Sequence, residues 1–170
     1  MNQETKCEKC THKAEFRLVD KWYCSRCFTE LVEQKIRHNL RRYDIKKDSI
    51  ILATDELCVQ VLKKVINMPV RIVSGKQKAD YIALPWTLDD ENEEFLKTFL
   101  EKKSLKEDKR IIRLFYSLSK DDVKAYCRLK KIEYHPKKSE INEILDRFDR
   151  KYPGTKTSIL RSGETLSNLR

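Results

Sequence analysis

Residues 49–67, SIILATDELCVQVLKKVIN, constrain the fold more than any other part of this 170-residue chain. The apolar run at 50–53 predicts a strand, and the polar residues 54–56 predict a turn. A helix is predicted after the turn, because its apolar residues are spaced to lie on one face: Leu57, Val61, Leu62, Val65 and Ile66. A strand, a turn and a helix in this order begin many nucleotide-binding α/β domains, where the helix N-terminus holds a phosphate. This turn, however, has no glycine and carries two acids, Asp55 and Glu56.

Strands and helices alternate along the rest of the chain. Apolar runs predict strands at 70–73, 80–84 and 110–116, the second ending at Pro85. Thr87 and Ser119 are each followed three residues later by an aspartate, a pattern typical of a helix N-terminus. A last helix is predicted at 139–151, with an extended segment at 156–161 after it. This alternation favours an α/β fold with a small parallel sheet and helices on both faces.

Each later helix carries apolar residues that we expect to be buried as a stripe. In the helix that begins at Thr87 these are Phe95, Leu96, Phe99 and Leu100. In the helix that begins at Ser119 they are Val123, Tyr126 and Cys127. In the last helix they are Ile141, Ile144, Leu145 and Phe148.

Four of the six cysteines lie in the first 27 residues as two CxxC pairs: Cys7, Cys10, Cys24 and Cys27. Two such pairs supply four thiolates to one tetrahedral ion, so we predict a closed, structural zinc site. The residues between the pairs predict a short hairpin around Asp20 and Lys21, too small to fold without the metal. Disulfides are the alternative, but the N-terminus lacks an apolar leader and predicts a cytoplasmic protein. The spacing of the cysteines does not distinguish a zinc ion from an iron ion.

A basic helix is predicted at 28–43, directly after the cysteines. It and the segment after it contribute the candidate phosphate-binding residues Lys35, Arg37, His38, Arg41, Arg42, Lys46 and Lys47. A metal knuckle followed by a basic helix is typical of a nucleic-acid-binding unit. The alternative is the solvated face of an amphipathic helix. We therefore divide the chain into a zinc knuckle with a basic helix at 1–47 and an α/β domain at 48–170.

The net charge of +10 is unevenly distributed. Residues 1–47 carry +5, residues 48–108 carry −3, and residues 109–170 carry +8. Two positive segments on either side of an acidic one favour contact with a nucleic-acid backbone, although a lysine-rich solvated surface gives the same pattern. No apolar run approaches the roughly 20 residues of a membrane span, so no membrane partner is expected.

Several segments together resemble the group-I tRNA 2-thiolation enzymes of the PP-loop ATP-pyrophosphatase superfamily. The two CxxC pairs with their basic helix match the opening of that family, and residues 52–62 match its strand, loop and helix. Residues 82–91, IALPWTLDDE, are similar to its second nucleotide-site segment, with Asp89 and Asp90 intact. Residues 152–162 are similar to a late family segment that contributes Lys156 and Arg161. The resemblance implies a truncated PP-loop-like domain and adds these two residues to the RNA-binding candidates.

The chain departs from the family at its chemical positions. The phosphate loop SGGKDS of the family is replaced by Thr54, Asp55, Glu56, Leu57, Cys58 and Val59. Glycines that bring backbone N–H groups close to phosphate are absent from this loop, and two acids would repel a triphosphate. Pro85 and Trp86 stand in place of a glycine and a histidine. The segment after His135, where the family has a catalytic cysteine, reads Pro-Lys-Lys-Ser. ATP is therefore not expected as a cofactor.

The resemblance and its departures imply a non-catalytic subunit associated with 2-thiolation of the wobble uridine of tRNA. The expected partners are tRNA and either a catalytic paralogue, in a heterodimer, or a second copy of the chain. One alternative is a sulfur relay or divergent PP-loop enzyme that uses Cys58, because a helix N-terminus lowers the pKa of a thiol. Another alternative is a free-standing zinc-ribbon RNA-binding protein.

Overall fold

The computed structural model describes residues 5–75, 77–102 and 108–168, with side chains as far as residue 166. An N-terminal hairpin and helix are followed by alternating strands and helices. The elements are β1 (Phe16–Leu18), β2 (Lys21–Tyr23), α1 (Ser25–Leu40), β3 (Ile50–Ala53), α2 (Glu56–Val65), β4 (Arg71–Val73), β5 (Tyr81–Thr87), α3 (Leu88–Leu100), β6 (Ile111–Phe115), α4 (Lys120–Lys130), α5 (Glu140–Lys151) and α6 (Thr155–Asn168). No described helix is long and apolar enough to cross a bilayer.

The central sheet has four strands in the order β4-β3-β5-β6, and all three pairings are parallel. Ile51 pairs with Ile72 on one side and with Tyr81 on the other, so β3 is an inner strand. Inner strands of a parallel sheet are covered on both faces, and Ile51 is fully buried. The predicted α/β class is confirmed. Because chain order reverses between β3 and β5, the ends of these two strands form the crevice where such sheets usually bind ligands.

Strand β5 extends further than predicted. We expected it to end at Pro85, but it continues to Thr87. The pairing with β6 shifts register between Leu84 and Thr87, so the proline lies at an irregularity where its missing N–H costs little. The prediction of an end at Pro85 is therefore wrong, and the strand delivers Thr87 directly as the N-cap of α3.

Helix α1 closes the β6 edge of the sheet and joins the cysteine-rich segment to it. The Asn39 amide donates to the Arg113 carbonyl at 2.6 Å, and the Tyr43 hydroxyl accepts from the Arg113 N–H at 3.0 Å. Phe28, Val32 and Ile36 on the same helix belong to the core cluster that also contains the sheet residues. The two units predicted at 1–47 and 48–170 thus share buried side chains, and the division between them stays a prediction.

Two predicted apolar stripes are not buried. On α3 the buried residues are Leu88, Asp89 and Asn92, whereas Phe99 is 63% and Leu100 is 74% exposed. On α5, Leu145 is buried as predicted, but Ile144 is 49% and Phe148 is 51% exposed. The predictions were wrong here because the inward faces of both helices carry polar groups: Asp89, Asn92 and Asn142 are buried with hydrogen-bonding partners.

The predicted extended segment at 156–161 is also wrong, because these residues lie within α6. Gly154, with a φ of 90°, separates α5 from this new helix. Helix α6 packs closely on α3, where a Cβ placed on Gly163 would lie 3.1 Å from Phe95 Cδ2. The absence of a side chain at 163 therefore allows the close approach of the two helices.

We expect Gly163→Leu to destabilise the protein by about 1–3 kcal/mol, because the added side chain overpacks this contact. Thr165→Leu, at an exposed position of the same helix, is the control and should change stability by no more than about 0.5 kcal/mol. Urea denaturation followed by circular dichroism measures both. Equal effects of the two variants would contradict the described packing of α6.

Candidate functional site

The four N-terminal cysteines form a compact group at the junction of the hairpin and α1. Cys7 and Cys10 lie in the turn before β1, Cys24 is the N-cap of α1, and Cys27 lies in its first turn. Their sulfur atoms all lie within 4.8 Å of one another. The Cys10 sulfur is 3.6 Å from that of Cys24 and 3.7 Å from that of Cys27. The two CxxC pairs are thus brought together as the sequence predicts.

This group fits one metal ion. Four thiolates around an ion at metal–sulfur bonds of about 2.3 Å stand about 3.8 Å apart, and here two of the sulfur–sulfur distances are 3.6 Å and 3.7 Å while all lie within 4.8 Å. An iron–sulfur cubane attaches each cysteine to a different iron and needs sulfurs that are further apart. Four protein ligands leave no open position for water, so a zinc ion bound here would be structural. Among the described residues, no other group of three or more possible ligands lies this close together.

The side chains of the turn after β3 bond to groups of the protein's own backbone. The Asp55 carboxylate accepts from the Cys58 N–H at 2.8 Å and caps α2. The Thr54 hydroxyl donates to the Ala83 carbonyl at 3.0 Å, which joins the ends of β3 and β5. Leu57 and Cys58 point into the core. A side-chain anion therefore already occupies the helix N-terminus, where a nucleotide phosphate would bind.

Cys58 is fully buried, and so is inaccessible as a sulfur carrier. Burial, and then the charge of Asp55, raise the pKa of its thiol far above the ordinary value. Burial, and then the same aspartate, also raise the pKa of Cys127 to about 12. The dipole of α2 does not offset these effects, and neither thiol has the low pKa of a reactive cysteine.

The two aspartates of the second segment are paired with lysines of the same chain. Asp89 is buried and accepts from the Lys156 ammonium at 2.5 Å and from the Lys120 N–H at 2.6 Å. Asp90 forms a capping box with Thr87 and an ion pair with the Lys120 ammonium at 3.0 Å. Both carboxylates are therefore already bonded to lysine ammonium groups or backbone N–H groups of the protein itself.

Lys156 was predicted as an RNA-binding candidate, and the structure places its ammonium inside the protein. Its side chain is buried, and its ammonium also pairs with Asp146 on α5. Burial alone lowers the pKa of this ammonium, but the bonds to Asp146 and Asp89 outweigh burial and raise it. The lysine is fully charged and fully occupied within the protein. No local sequence pattern predicts this pairing, because Asp146 is ten residues from Lys156 and Asp89 is 67 residues away.

The remaining basic candidates lie on or near the outer face of α1. His38, Arg41, Lys46 and Lys47 are exposed, and Lys35 and Arg37 are half-buried. Arg42 is exposed too, but its guanidinium lies 4.4 Å from the centre of the Tyr116 ring and pairs with Glu164 of α6. Arg161 is exposed one turn before Glu164, which places it near the end of α1. We call the set Lys35, Arg37, His38, Arg41, Lys46, Lys47 and Arg161 the basic surface.

A cleft that the sequence did not predict opens at the end of β5. It has a volume of about 500 Å³ and lies between α3 and the segment 134–139. Trp86, Tyr134 and Pro136 contribute its apolar walls, and Lys120 and Lys137 lie among its charged lining. The only sequence signal for it was the departure from the family pattern at Pro85 and Trp86. The cleft lies at the carboxyl end of the sheet, beside the crevice between β3 and β5.

Comparisons with known proteins agree with this fold. No protein-family model and no curated protein matches the chain. Among solved structures, the chain is similar to the U34-tRNA thiolase NcsA from Methanococcus maripaludis, determined with its [4Fe-4S] cluster, with a TM-score of 0.69. The similarity covers 99% of this chain and 88% of that chain at 19% sequence identity. The two proteins share a fold. At this identity, the likeness shows the architecture and not the activity.

We expect one zinc ion per chain in protein purified without added metal, because the four sulfurs are spaced for one ion. Elemental analysis together with visible absorbance measures this. Cys24→Ser should lower the metal content and unfold the hairpin and the start of α1, whereas Cys127→Ser should leave the metal content unchanged. Several irons per chain with the absorbance of a cluster would contradict the single-ion site.

Lys156→Met should destabilise the protein by about 3–5 kcal/mol, because it leaves the buried Asp89 carboxylate without its cation. Lys97→Met is a matched control, since Lys97 also pairs with an acid, Glu93, but is exposed. Its effect should stay below about 1 kcal/mol. Denaturant unfolding at neutral pH compares them, and similar effects would show that the internal ion pair does not stabilise the fold.

Proposed function

We propose that this protein is a non-catalytic subunit that binds tRNA, or a catalytic paralogue, in the 2-thiolation of wobble uridine. The observation that carries the proposal is the closed anion site at the start of α2. There the Asp55 carboxylate accepts from the Cys58 N–H. A nucleotide would have to displace this carboxylate and approach Glu56, which is exposed in the same turn. Asp55 and Glu56 are both exposed, so each charge would repel a phosphate about 4 Å away by about 1 kcal/mol in bulk water and by up to about 4 kcal/mol near the protein surface.

The second nucleotide segment supports the same proposal. Asp89 is the carboxylate that the resemblance would assign to the nucleotide site, yet it is buried and holds the Lys156 ammonium. Asp90 is bound to Thr87 and Lys120. No open carboxylate pair remains here for a nucleotide-bound metal ion. The scaffold of the fold is thus retained while both of its nucleotide-facing loops are closed.

The basic surface supports the RNA part of the proposal. His38 lies on the solvent side of α1, Lys35 and Arg37 border its buried face, and the other members lie just after α1 or on α6. The neighbour of similar fold is a tRNA-modifying enzyme, which makes tRNA the natural candidate. A closed Cys₄ zinc site at the start of α1 would fix the orientation of this helix without taking part in chemistry. A zinc-ribbon protein that binds any RNA would also need such a basic surface. Comparing the affinity for tRNA with that for an unrelated RNA distinguishes this alternative from a tRNA-binding subunit.

Titration calorimetry with Mg²⁺-ATP at concentrations up to about 1 mM should give no heat of binding. Any binding free energy is then weaker than about −4 kcal/mol, which corresponds to a dissociation constant of about 1 mM. Asp55→Asn removes one negative charge from the turn but leaves the amide oxygen as a cap, and should remain equally inactive because the loop still lacks an N–H cradle. Micromolar binding of ATP to the unaltered protein would refute the non-catalytic assignment.

Arg41→Glu and Lys47→Glu should each weaken tRNA binding about 10-fold, because each replaces a phosphate contact with a repelling charge. The slope of log K against log salt should also fall by about 1 for each variant. Lys64→Glu, at an exposed position of α2, is the control and should bind like the unaltered protein. Filter binding with tRNA and with an unrelated hairpin RNA of the same length measures this. Equal affinity for both RNAs would favour a general RNA-binding protein. No binding to either RNA would refute the proposal that this protein binds tRNA.

A further inference from the structure

The cleft at the end of β5 has the size of a small-ligand site. Its volume of about 500 Å³ lies within the range of about 300–1,000 Å³ that is typical of such sites. Two of its acids are paired within the protein, Asp90 with Lys120 at 3.0 Å and Glu93 with Lys97 at 2.5 Å. These charges balance one another, so a ligand would be recognised by the other groups of the lining.

One wall of the cleft is an aromatic ring held in a fixed orientation. The Trp86 Nε1–H donates to the Glu91 carboxylate at 2.9 Å, and the Arg113 guanidinium donates to both oxygens of that carboxylate at 2.8 Å. The same guanidinium lies 5.6 Å from the centre of the indole ring. Tyr134 and Pro136 add flat or apolar surface to the lining. A rigid aromatic wall of this kind suits a ligand with a planar ring, such as a nucleobase, that stacks on it.

An acid and a hydroxyl in the cleft lack partners. Glu94 and Thr98 line it from α3, where a separation of four residues places both on one face. Among the described side chains, Glu94 has no ion pair within 4.0 Å. The Tyr134 hydroxyl likewise has no hydrogen bond within the described part of the chain. An ionised carboxylate only accepts hydrogen bonds, so Glu94 calls for a ligand that donates.

The segment between α4 and α5 contributes the positive charges of the cleft. Lys137 and Lys138 are exposed and line it, and neither has an ion pair among the described residues. The Lys120 ammonium, which pairs with Asp90 of α3, also donates to the Lys137 carbonyl at 3.1 Å. This bond ties the segment to the opposite wall. Two free ammonium groups at one side of an aromatic cleft suit a phosphate.

We propose that this cleft binds a guanosine 5′-phosphate unit, either within a single RNA strand or as a free nucleotide. The base stacks on Trp86, and the phosphate pairs with Lys137 and Lys138. Guanine presents two donors side by side, N1–H and N2–H, which the two oxygens of Glu94 can accept together. Uracil presents one N–H between two carbonyls, and adenine and cytosine each present an amino group beside an acceptor nitrogen. Each of these three bases would therefore direct a lone pair at the carboxylate.

This inference does not rest on the proposed role in thiolation. The cleft contains no residue of the basic surface and none of the turn after β3. Binding of guanosine monophosphate by a chain that fails to bind tRNA would leave the cleft assignment intact. Binding of tRNA without binding of guanosine monophosphate would refute the cleft assignment alone.

The test uses the full, metal-loaded chain with Trp22→Phe, which leaves Trp86 as its one tryptophan. A base that stacks on Trp86 should quench its fluorescence. The 5′-monophosphates of guanosine, uridine and adenosine are titrated separately. We expect guanosine monophosphate to bind with a Kd below about 1 mM, and at least about 10-fold more tightly than either of the others.

Variants assign the two ends of the ligand. Glu94→Gln replaces one acceptor oxygen with a donor, so it should raise the Kd for guanosine monophosphate about 10-fold and remove the preference for guanine. Glu143→Gln is its matched control, because Glu143 is exposed on α5 outside the cleft, and it should bind like the unaltered chain. Lys137→Ala with Lys138→Ala should weaken binding of guanosine monophosphate about 10-fold but leave binding of guanosine, which has no phosphate, unchanged. Circular dichroism confirms that each variant is folded.

A strand of seven uridines and the same strand with a central guanosine distinguish the two sources of the ligand. Binding of the guanosine strand at least about 10-fold tighter than both the all-uridine strand and guanosine monophosphate assigns the cleft to RNA. Binding no tighter than that of guanosine monophosphate assigns it to a free nucleotide. The absence of saturable quenching up to about 5 mM guanosine monophosphate overturns the proposal, as does equal binding of the three nucleotides. A folded Glu94→Gln chain that keeps the preference for guanine would also contradict it.

Discussion

The buried ion pair between Lys156 and Asp89 holds together four helices of this protein. Asp89 belongs to α3, and its second oxygen accepts from the backbone of Lys120 at the start of α4. Lys156 belongs to α6, and its ammonium also pairs with Asp146 of α5. The backbone of Lys156 is held as well, by Asn92 through its carbonyl and by Asp149 through its N–H. An unpaired charge at this depth costs several kcal/mol, so any rearrangement of α3, α5 or α6 must keep the pair together.

The same ion pair connects architecture to function. Asp89 lies in the segment whose sequence resembles a nucleotide site, and here its carboxylate is part of the internal framework. Asp55 has a parallel role after β3, where its carboxylate caps α2 by accepting from the Cys58 N–H. At both positions a carboxylate takes part in the internal framework of the fold. These contacts are the basis for our proposal that the 170-residue chain has no open nucleotide site.

Local sequence patterns predicted most of the fold. The alternation around 49–67, the capping aspartates after Thr87 and Ser119, and the two CxxC pairs each depend on residues a few positions apart. These local patterns correctly predicted the parallel sheet, two helix N-termini and the cysteine cluster. The role of Lys156, the helical state of 156–161 and the exposure of Phe99 and Phe148 depend on residues far apart in the chain. The amphipathic pattern identified α3 and α5 as helices, but it could not show that their inward faces are partly polar.

We propose that the protein takes part in tRNA thiolation without carrying out its chemistry. The most direct measurement is the 2-thiouridine content of tRNA in cells that lack the protein, after complementation with variant chains. We predict that loss of the protein lowers thiolation, and that Cys58→Ala restores it fully, since the buried thiol takes no part in sulfur transfer. Unchanged thiolation without the protein, or a Cys58→Ala chain that folds but fails to restore it, would contradict this account.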